Sequence, residues 1–211
     1  MRKVFWDNPY QQQLTTKVAS VSGNRIVFEE TIVFSFAGGQ ESDKATVNGL
    51  PIVDSERVGN LIYYTLGSGH GLQPGDNVQM EIDWPRRYRL MRLHFAAELV
   101  LELVTRLRKL EKIGAHIAAD KARVDFQCDH NISTMFPEVL MQYNAIIDKD
   151  LPIKTDFSDV ENQRRYWEIA GFSKVACGGT HVKSTAEVGY ITLKRKNIGG
   201  GKERIEIMLK E

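Results

Sequence analysis

The sequence predicts an α+β protein. It places a small N-terminal β-barrel over residues 1–83, followed over 84–211 by an α+β domain with a long helix and a mainly antiparallel sheet. Three observations carry that expectation. Before Asp83 the chain reads as short strands broken by Gly-, Pro- and Asp-containing turns. At Asp83 an amphipathic helical repeat begins abruptly. Beyond that helix, helical stretches mix with hairpin-like strands, as in α+β folds.

Taken in order, Thr16, Val18, Ser20 and Val21 alternate loosely, pass the turn Ser22-Gly23-Asn24 and resume over 25–29, a hairpin pattern. Further strands are expected at 31–36, 45–47 with 51–53, 61–66 and 78–82, separated by Gly67-Ser68-Gly69 and Pro74-Gly75-Asp76. Asp83-Trp84-Pro85 opens a helix, with Pro85 in the first turn, where its missing N–H costs nothing. Leu90, Leu93, Ala97, Val100, Val104 and Leu107 recur at three- and four-residue spacing, and Gly114 is expected to end the run. A strand at 122–126, helices at 136–148 and 159–170, and a closing β region with strands at 189–194 and 204–209 about a turn at 197–201 complete the reading.

Composition narrows the class. Apolar residues are 42% and charged residues 26% of 211, which excludes a disordered tail. The net charge of +1, from 28 basic and 27 acidic residues, excludes a bulk polycation but leaves room for a local basic face. No stretch of about 18 apolar residues occurs, so no membrane partner is expected. The start MRKVFWDNPY lacks an apolar signal core, which points to the cytoplasm, where Cys128 and Cys177 are expected as reduced thiols.

Two pairs can carry metal chemistry. His94 and Glu98 lie four apart on the long helix, one turn above each other on one face. Cys177 and His181 repeat that spacing across Gly178-Gly179-Thr180, where the glycines allow close backbone approach. Together they offer four donors to a tetrahedral ion, and a catalytic zinc would need three with an open position for water. A hydrogen-bonded helix pair and a buried thiol beside a strand-capping histidine would leave the same spacings. Gly38-Gly39-Gln40 suggests a tight backbone approach or only a turn. Arg86, Arg87, Arg89 and Arg92 open the long helix, the wrong end for the helix dipole, which favours phosphate contact. Arg106, Arg108, Lys109 and Lys112 follow its far end, and Lys194, Arg195, Lys196, Lys202 and Arg204 crowd the last hairpin.

With these residues in view, the chain resembles the free-standing alanyl-tRNA editing proteins of the AlaX type, relatives of the editing domain of alanyl-tRNA synthetase. The resemblance runs through TIVFSFAGGQESD at 31–43, IDWPRRYRLMRLHFAAEL at 82–99, DKARVDF at 120–126 and CGGTHV at 177–182. It implies a β-barrel followed by an α+β editing domain, and hydrolysis of serine or glycine wrongly attached to alanine tRNA. It also implies zinc held through His94, Cys177 and His181. The family's second helix histidine is Glu98 here, either a carboxylate ligand, a general base or the mark of a lost site. Phe95 stands where the family commonly has a small hydroxyl residue, which implies altered substrate choice if its ring lines the pocket.

The reading that follows is a metal-dependent aminoacyl-tRNA deacylase. Glu98, Gly179 and Thr180 are its catalytic candidates, the loop backbone serving to stabilise the oxyanion. Phe95, Gly38, Gly39 and Gln40 line its expected pocket. Arg86, Arg87, Arg89, Lys194, Arg195 and Lys196 are its expected tRNA contacts. A tRNA-binding relative without activity and a metal-dependent hydrolase of small molecules are the alternatives.

Overall fold

The structure is a computed structural model that describes residues 1–210. The chain forms two compact units: Met1–Ala37 with Glu41–Tyr88, and Gly38–Gln40 with the residues from Arg89 onward. The sequence expectation puts a boundary after residue 83. The first unit instead extends through Tyr88, and three residues from the middle of its own sequence stretch join the second.

In chain order the first unit carries β1 (Arg2–Lys3), a short helix α1 (Val4–Asp7), β2 (Gln13–Ser22), β3 (Arg25–Phe28), β4 (Glu30–Thr31), β5 (Ala45–Val47), β6 (Leu50–Val58), β7 (Leu61–Leu66) and β8 (Asn77–Ile82). Six of these strands close into a barrel in the order β2-β3-β7-β6-β5-β8. Strict alternation makes its core: Ile62, Tyr64 and Leu66 of β7 and Val78, Met80 and Ile82 of β8 point inward and are buried. Closure pairs every one of the six on both sides and removes the exposed edges of an open sheet.

The strand expected over 31–36 is not there; only Thr31 belongs to one. Ile32, Val33 and Phe34 are nevertheless buried, and side chains take most of their backbone groups in place of a neighbouring strand, while the Phe34 carbonyl accepts the Asp43 backbone N–H at 3.0 Å. The Val33 N–H donates to Thr31 Oγ1 at 3.0 Å and the Phe34 N–H to Asp43 Oδ2 at 2.6 Å. The Tyr64 hydroxyl donates to the Val33 carbonyl at 2.6 Å, and Arg87 Nη2 to the Ile32 carbonyl at 2.6 Å. The apolar run records burial, not a ladder.

Arg87 is fully buried. Its guanidinium forks onto Asp43, with Nε to Oδ1 at 2.7 Å and Nη2 to Oδ2, while Nη1 reaches the Pro9 carbonyl at 3.0 Å. A side chain so enclosed cannot meet a phosphate backbone, which corrects the expectation that Arg87 contacts tRNA.

The long helix α2 (Trp84–Arg108) starts where expected, with Asp83 Oδ1 accepting the Arg86 N–H at 3.1 Å as its cap. Leu90, Leu93, Ala97, Val100 and Val104 are buried, but so are Met91, Phe95, Ala96, Leu99 and Leu103. A helix buried on more than one face lies inside its unit rather than on its rim. Its end is not Gly114. Lys109 takes the left-handed conformation, φ 51°, and Gly114 lies inside the next strand, β9 (Glu111–Ile117).

The second unit continues with β10 (Ala122–Gln127), α3 (Phe136–Asp148), β11 (Lys154–Asp159), β12 (Arg164–Ile169), β13 (Ser173–Ala176), α4 (Thr185–Val188), β14 (Ile191–Gly199) and β15 (Lys202–Leu209). One antiparallel sheet runs β14-β15-β10-β9 and a smaller one β11-β12-β13. The helix expected over 159–170 is thus a turn and a strand. Asp159 accepts the Asn162 N–H at 3.0 Å, Gln163 takes φ 53°, and the β-favouring Tyr166, Trp167 and Ile169 then pack into the interior. Gly38–Gln40 lies against β9: Gln40 bridges Ile117 in parallel, and the Ile117 N–H donates to the Gly39 carbonyl at 2.8 Å. Gly39 has φ +89°, and a Cβ there would stand 2.7 Å from the Ala115 carbonyl oxygen. Only glycine allows the approach.

Candidate metal centre

Two elements of the second unit bring the site together. Helix α2 presents His94 and Glu98 from successive turns, and the loop after β13 presents Cys177 and His181. Cys177 Sγ stands 3.5 Å from His94 Nε2 and 3.3 Å from His181 Nε2. Glu98 Oε1 is 3.4 Å from His94 Nε2 and 3.7 Å from Cys177 Sγ. His94, Cys177 and His181 group tightly enough to share one ion. Donors about a tetrahedral zinc lie about 3.3–3.6 Å apart, given bonds of about 2.0–2.3 Å. The Cys177 distances match that spacing, all three donors lie within 4.8 Å of one another, and two imidazoles with a thiol are a donor set that suits zinc.

Gln40 sets the outer shell. Its Oε1 accepts the Thr180 backbone N–H at 3.1 Å, which fixes that atom as oxygen, so His94 must donate Nδ1–H to it at 2.8 Å. Its Nε2 donates to Thr180 Oγ1 at 2.9 Å. The bond to Nδ1 turns the His94 Nε2 lone pair toward Cys177, the usual arrangement behind a metal-bound imidazole. Gly179 packs directly on that ring: a Cβ there would meet His94 Cε1 at 2.0 Å. His181 is buried with its Nδ1 unpartnered among the described residues.

The cluster is charged as well as buried. Burial opposes each charged form, but the neighbours prevail. The Cys177 thiolate and the Glu98 carboxylate raise His94 to about 10. The His94 charge and hydrogen bond, with the Trp167 indole, hold Glu98 down to about 2. The two imidazoles bring Cys177 down to about 6. Two anionic donors and two imidazoles held together in the interior suit a divalent cation, which would replace the protons.

The site can now be compared with known proteins. The chain is 32% identical over 214 residues to the alanyl-tRNA editing protein AlaX-M of Pyrococcus horikoshii, covering 99% of this chain and 97% of that one. The chain belongs to the AlaX family of alanyl-tRNA editing proteins. It is also 31% identical to an alanine–tRNA ligase of Staphylothermus marinus and 26% identical to one of Methanococcus maripaludis, each over a quarter of the ligase. The family model for the "Threonyl and Alanyl tRNA synthetase second additional domain" matches residues 165–206, a stretch that contains Cys177 and His181.

The remaining expected site residues are distributed unevenly. Gly38 is exposed, whereas Gln40 is buried and acts through its side chain. Phe95 is buried edge-on between Trp167 at 5.1 Å and His181 at 5.5 Å, so its ring backs a candidate ligand rather than lining an open pocket. The Thr180 N–H is committed to Gln40, which removes it from the expected oxyanion role. Arg86 is paired with Glu41 at 2.6 Å, and Arg89 donates to the Ala119 carbonyl at 3.0 Å. Arg195 is engaged by both oxygens of Glu203, whereas Lys194 and Lys196 are exposed, with Glu206 opposite Lys194 on the neighbouring strand. Trp167, which donates its indole N–H to Glu98 Oε2 at 2.9 Å, escapes the sequence reading. The alternation of Arg165, Trp167 and Ile169 before Gly171 is the available signal for its strand.

Proposed function

We propose that this protein hydrolyses the ester that joins a wrongly attached serine or glycine to alanine tRNA, acting in the cytoplasm as a free-standing editing enzyme. The convergence of His94, Cys177 and His181 within reach of a single ion, with Cys177 Sγ 3.5 and 3.3 Å from the two imidazoles, carries this reading. Residues 84–211, together with Gly38–Gln40, act as the editing domain, and the rest of residues 1–83 as an accessory barrel.

Zinc held by His94, Cys177 and His181 would supply positive charge to polarise or anchor the polar end of the aminoacyl group. This chain's own residues prepare that place. Gln40 fixes the His94 ring and, through Thr180, the loop that carries Cys177 and His181. Gly179 keeps the loop tight against the ring and is the backbone group retained for the oxyanion. Glu98 serves as a fourth donor rather than a base: the indole takes Oε2, and Oε1 faces His94 and Cys177. A base needs an oxygen open to the attacking water. Arg86, Arg89, Lys194 and Lys196 remain the phosphate contacts of this reading. Residue 98, rather than the buried residue 95, is where substrate choice departs from the family pattern.

The test is a deacylation panel with alanine tRNA charged with serine, glycine or alanine, run on wild type and Cys177→Ala. Release of serine or glycine that disappears in a folded Cys177→Ala protein supports the reading. Tight tRNA binding with no release would make the protein a binding relative. Hydrolysis of free aminoacyl esters, indifferent to charge reversal at Lys194 and Lys196, would make it a small-molecule hydrolase.

A further inference from the structure

Glu98 is held from behind. Its Oε2 accepts the Trp167 indole N–H at 2.9 Å, and Trp167 is fully buried. Trp167 lies in the middle of β12, opposite Thr155 of β11 on one side and Val175 of β13 on the other. Its backbone is pinned by a ladder on each flank, and its ring is braced edge-on by Phe95. An indole has a single N–H and no acceptor, so it occupies one carboxylate oxygen and leaves the other alone. The oxygen left is Oε1, the one at donor spacing from His94 and Cys177.

We propose that Trp167 is a positioning residue: it makes Glu98 a one-oxygen ligand and so adds a fourth donor to His94, Cys177 and His181. This rests on the reading that the cluster holds zinc. A carboxylate free to turn offers both oxygens or swings away, whereas one held by an indole offers a single oxygen in a fixed direction. Buried partners of this kind govern how metal ligands are aimed. The chain thereby keeps a four-donor set although a carboxylate stands where the family resemblance implies an imidazole. Nothing in the arrangement requires the indole to touch substrate.

The experiment measures zinc dissociation constants by chelator competition, together with cobalt(II) absorption spectra, for wild type, Trp167→Phe, Glu98→His and the double variant. Trp167→Phe is expected to weaken zinc about 10–100-fold and to change the cobalt spectrum as the carboxylate is released. In the Glu98→His background the same change is expected to add little, because no carboxylate oxygen remains for the indole to hold. Replacing the indole by its benzothiophene isostere removes only the N–H and is expected to repeat the loss, which covers the case in which the smaller ring weakens the fold. Wild-type zinc affinity in the isostere overturns the proposal. So does an equal loss in both backgrounds, which would mark the ring as packing alone. A wild type that takes up no zinc overturns the metal reading itself, and this proposal with it.

Discussion

Each unit of the protein buries a charged cluster, and the two clusters are built to opposite ends. In the first, Arg87 and Asp43 answer each other: guanidinium and carboxylate meet as a fork, and the remaining polar contacts go to the Pro9 and Ile32 carbonyls and the Phe34 N–H. In the second, His94, Glu98, Cys177 and His181 turn their donor atoms toward one another. The outer atoms are tied back, His94 by Gln40 and Glu98 by Trp167. The first cluster is complete in itself, whereas the donors of the second face a common point that a cation could fill. Burial of charge does not by itself mark a functional site; the direction in which the donors face does.

The comparison breaks most readily at Arg87. Arg87→Ala leaves Asp43 buried without a counter-charge and is expected to cost about 3–5 kcal/mol by chemical denaturation. The tRNA affinity of the folded fraction should be unchanged; a specific loss of tRNA binding would return Arg87 to the surface role its sequence neighbourhood suggests. Phe95→Thr sharpens the other side. It leaves a cavity behind His181 and is expected to cost about 3 kcal/mol, seen as a lower melting temperature, with no gain in seryl-tRNA hydrolysis. A gain in that activity would place residue 95 in the substrate pocket.

Zinc distinguishes the clusters directly. Zinc at about 100 times its dissociation constant should stabilise the wild type by about 2.7 kcal/mol, measured as a rise in melting temperature. Cys177→Ala should remove that rise, and no variant of the Arg87–Asp43 pair that still folds should. The smallest effect is expected at the surface. Lys194→Glu with Lys196→Glu should leave stability within about 0.5 kcal/mol, weaken tRNA binding uniformly and lower the salt slope by about one for each phosphate no longer neutralised. An unchanged slope would remove that strand from the tRNA path.

What can be read from the sequence follows the range of the interactions concerned. Strands β5 and β7 and helix α3 are legible because period-2 and period-3.6 patterning are local. So are His94, Cys177 and His181, whose pairs lie one helical turn or one short loop apart. Arg87 misleads because its answering charge stands 44 positions away in sequence, and a run of arginines does not reveal which one turns inward. Trp167 is invisible as a partner of Glu98 for the same reason, and its strand is hidden by a segment that also suits a helix. Ile32–Phe34 shows the converse error: an apolar run marks burial, but only its hydrogen-bond partners decide whether it is a strand.

The placement of Gly38–Gln40 bears on how such a protein can be taken apart. These three residues are encoded within the barrel's stretch of sequence, yet they belong to the second unit, where Gln40 orients His94. No single cut in the gene separates the two units cleanly. A fragment beginning at α2 would keep all four donors yet lose the side chain that aims one of them, so recombination between relatives at that junction must bring matching versions of both segments.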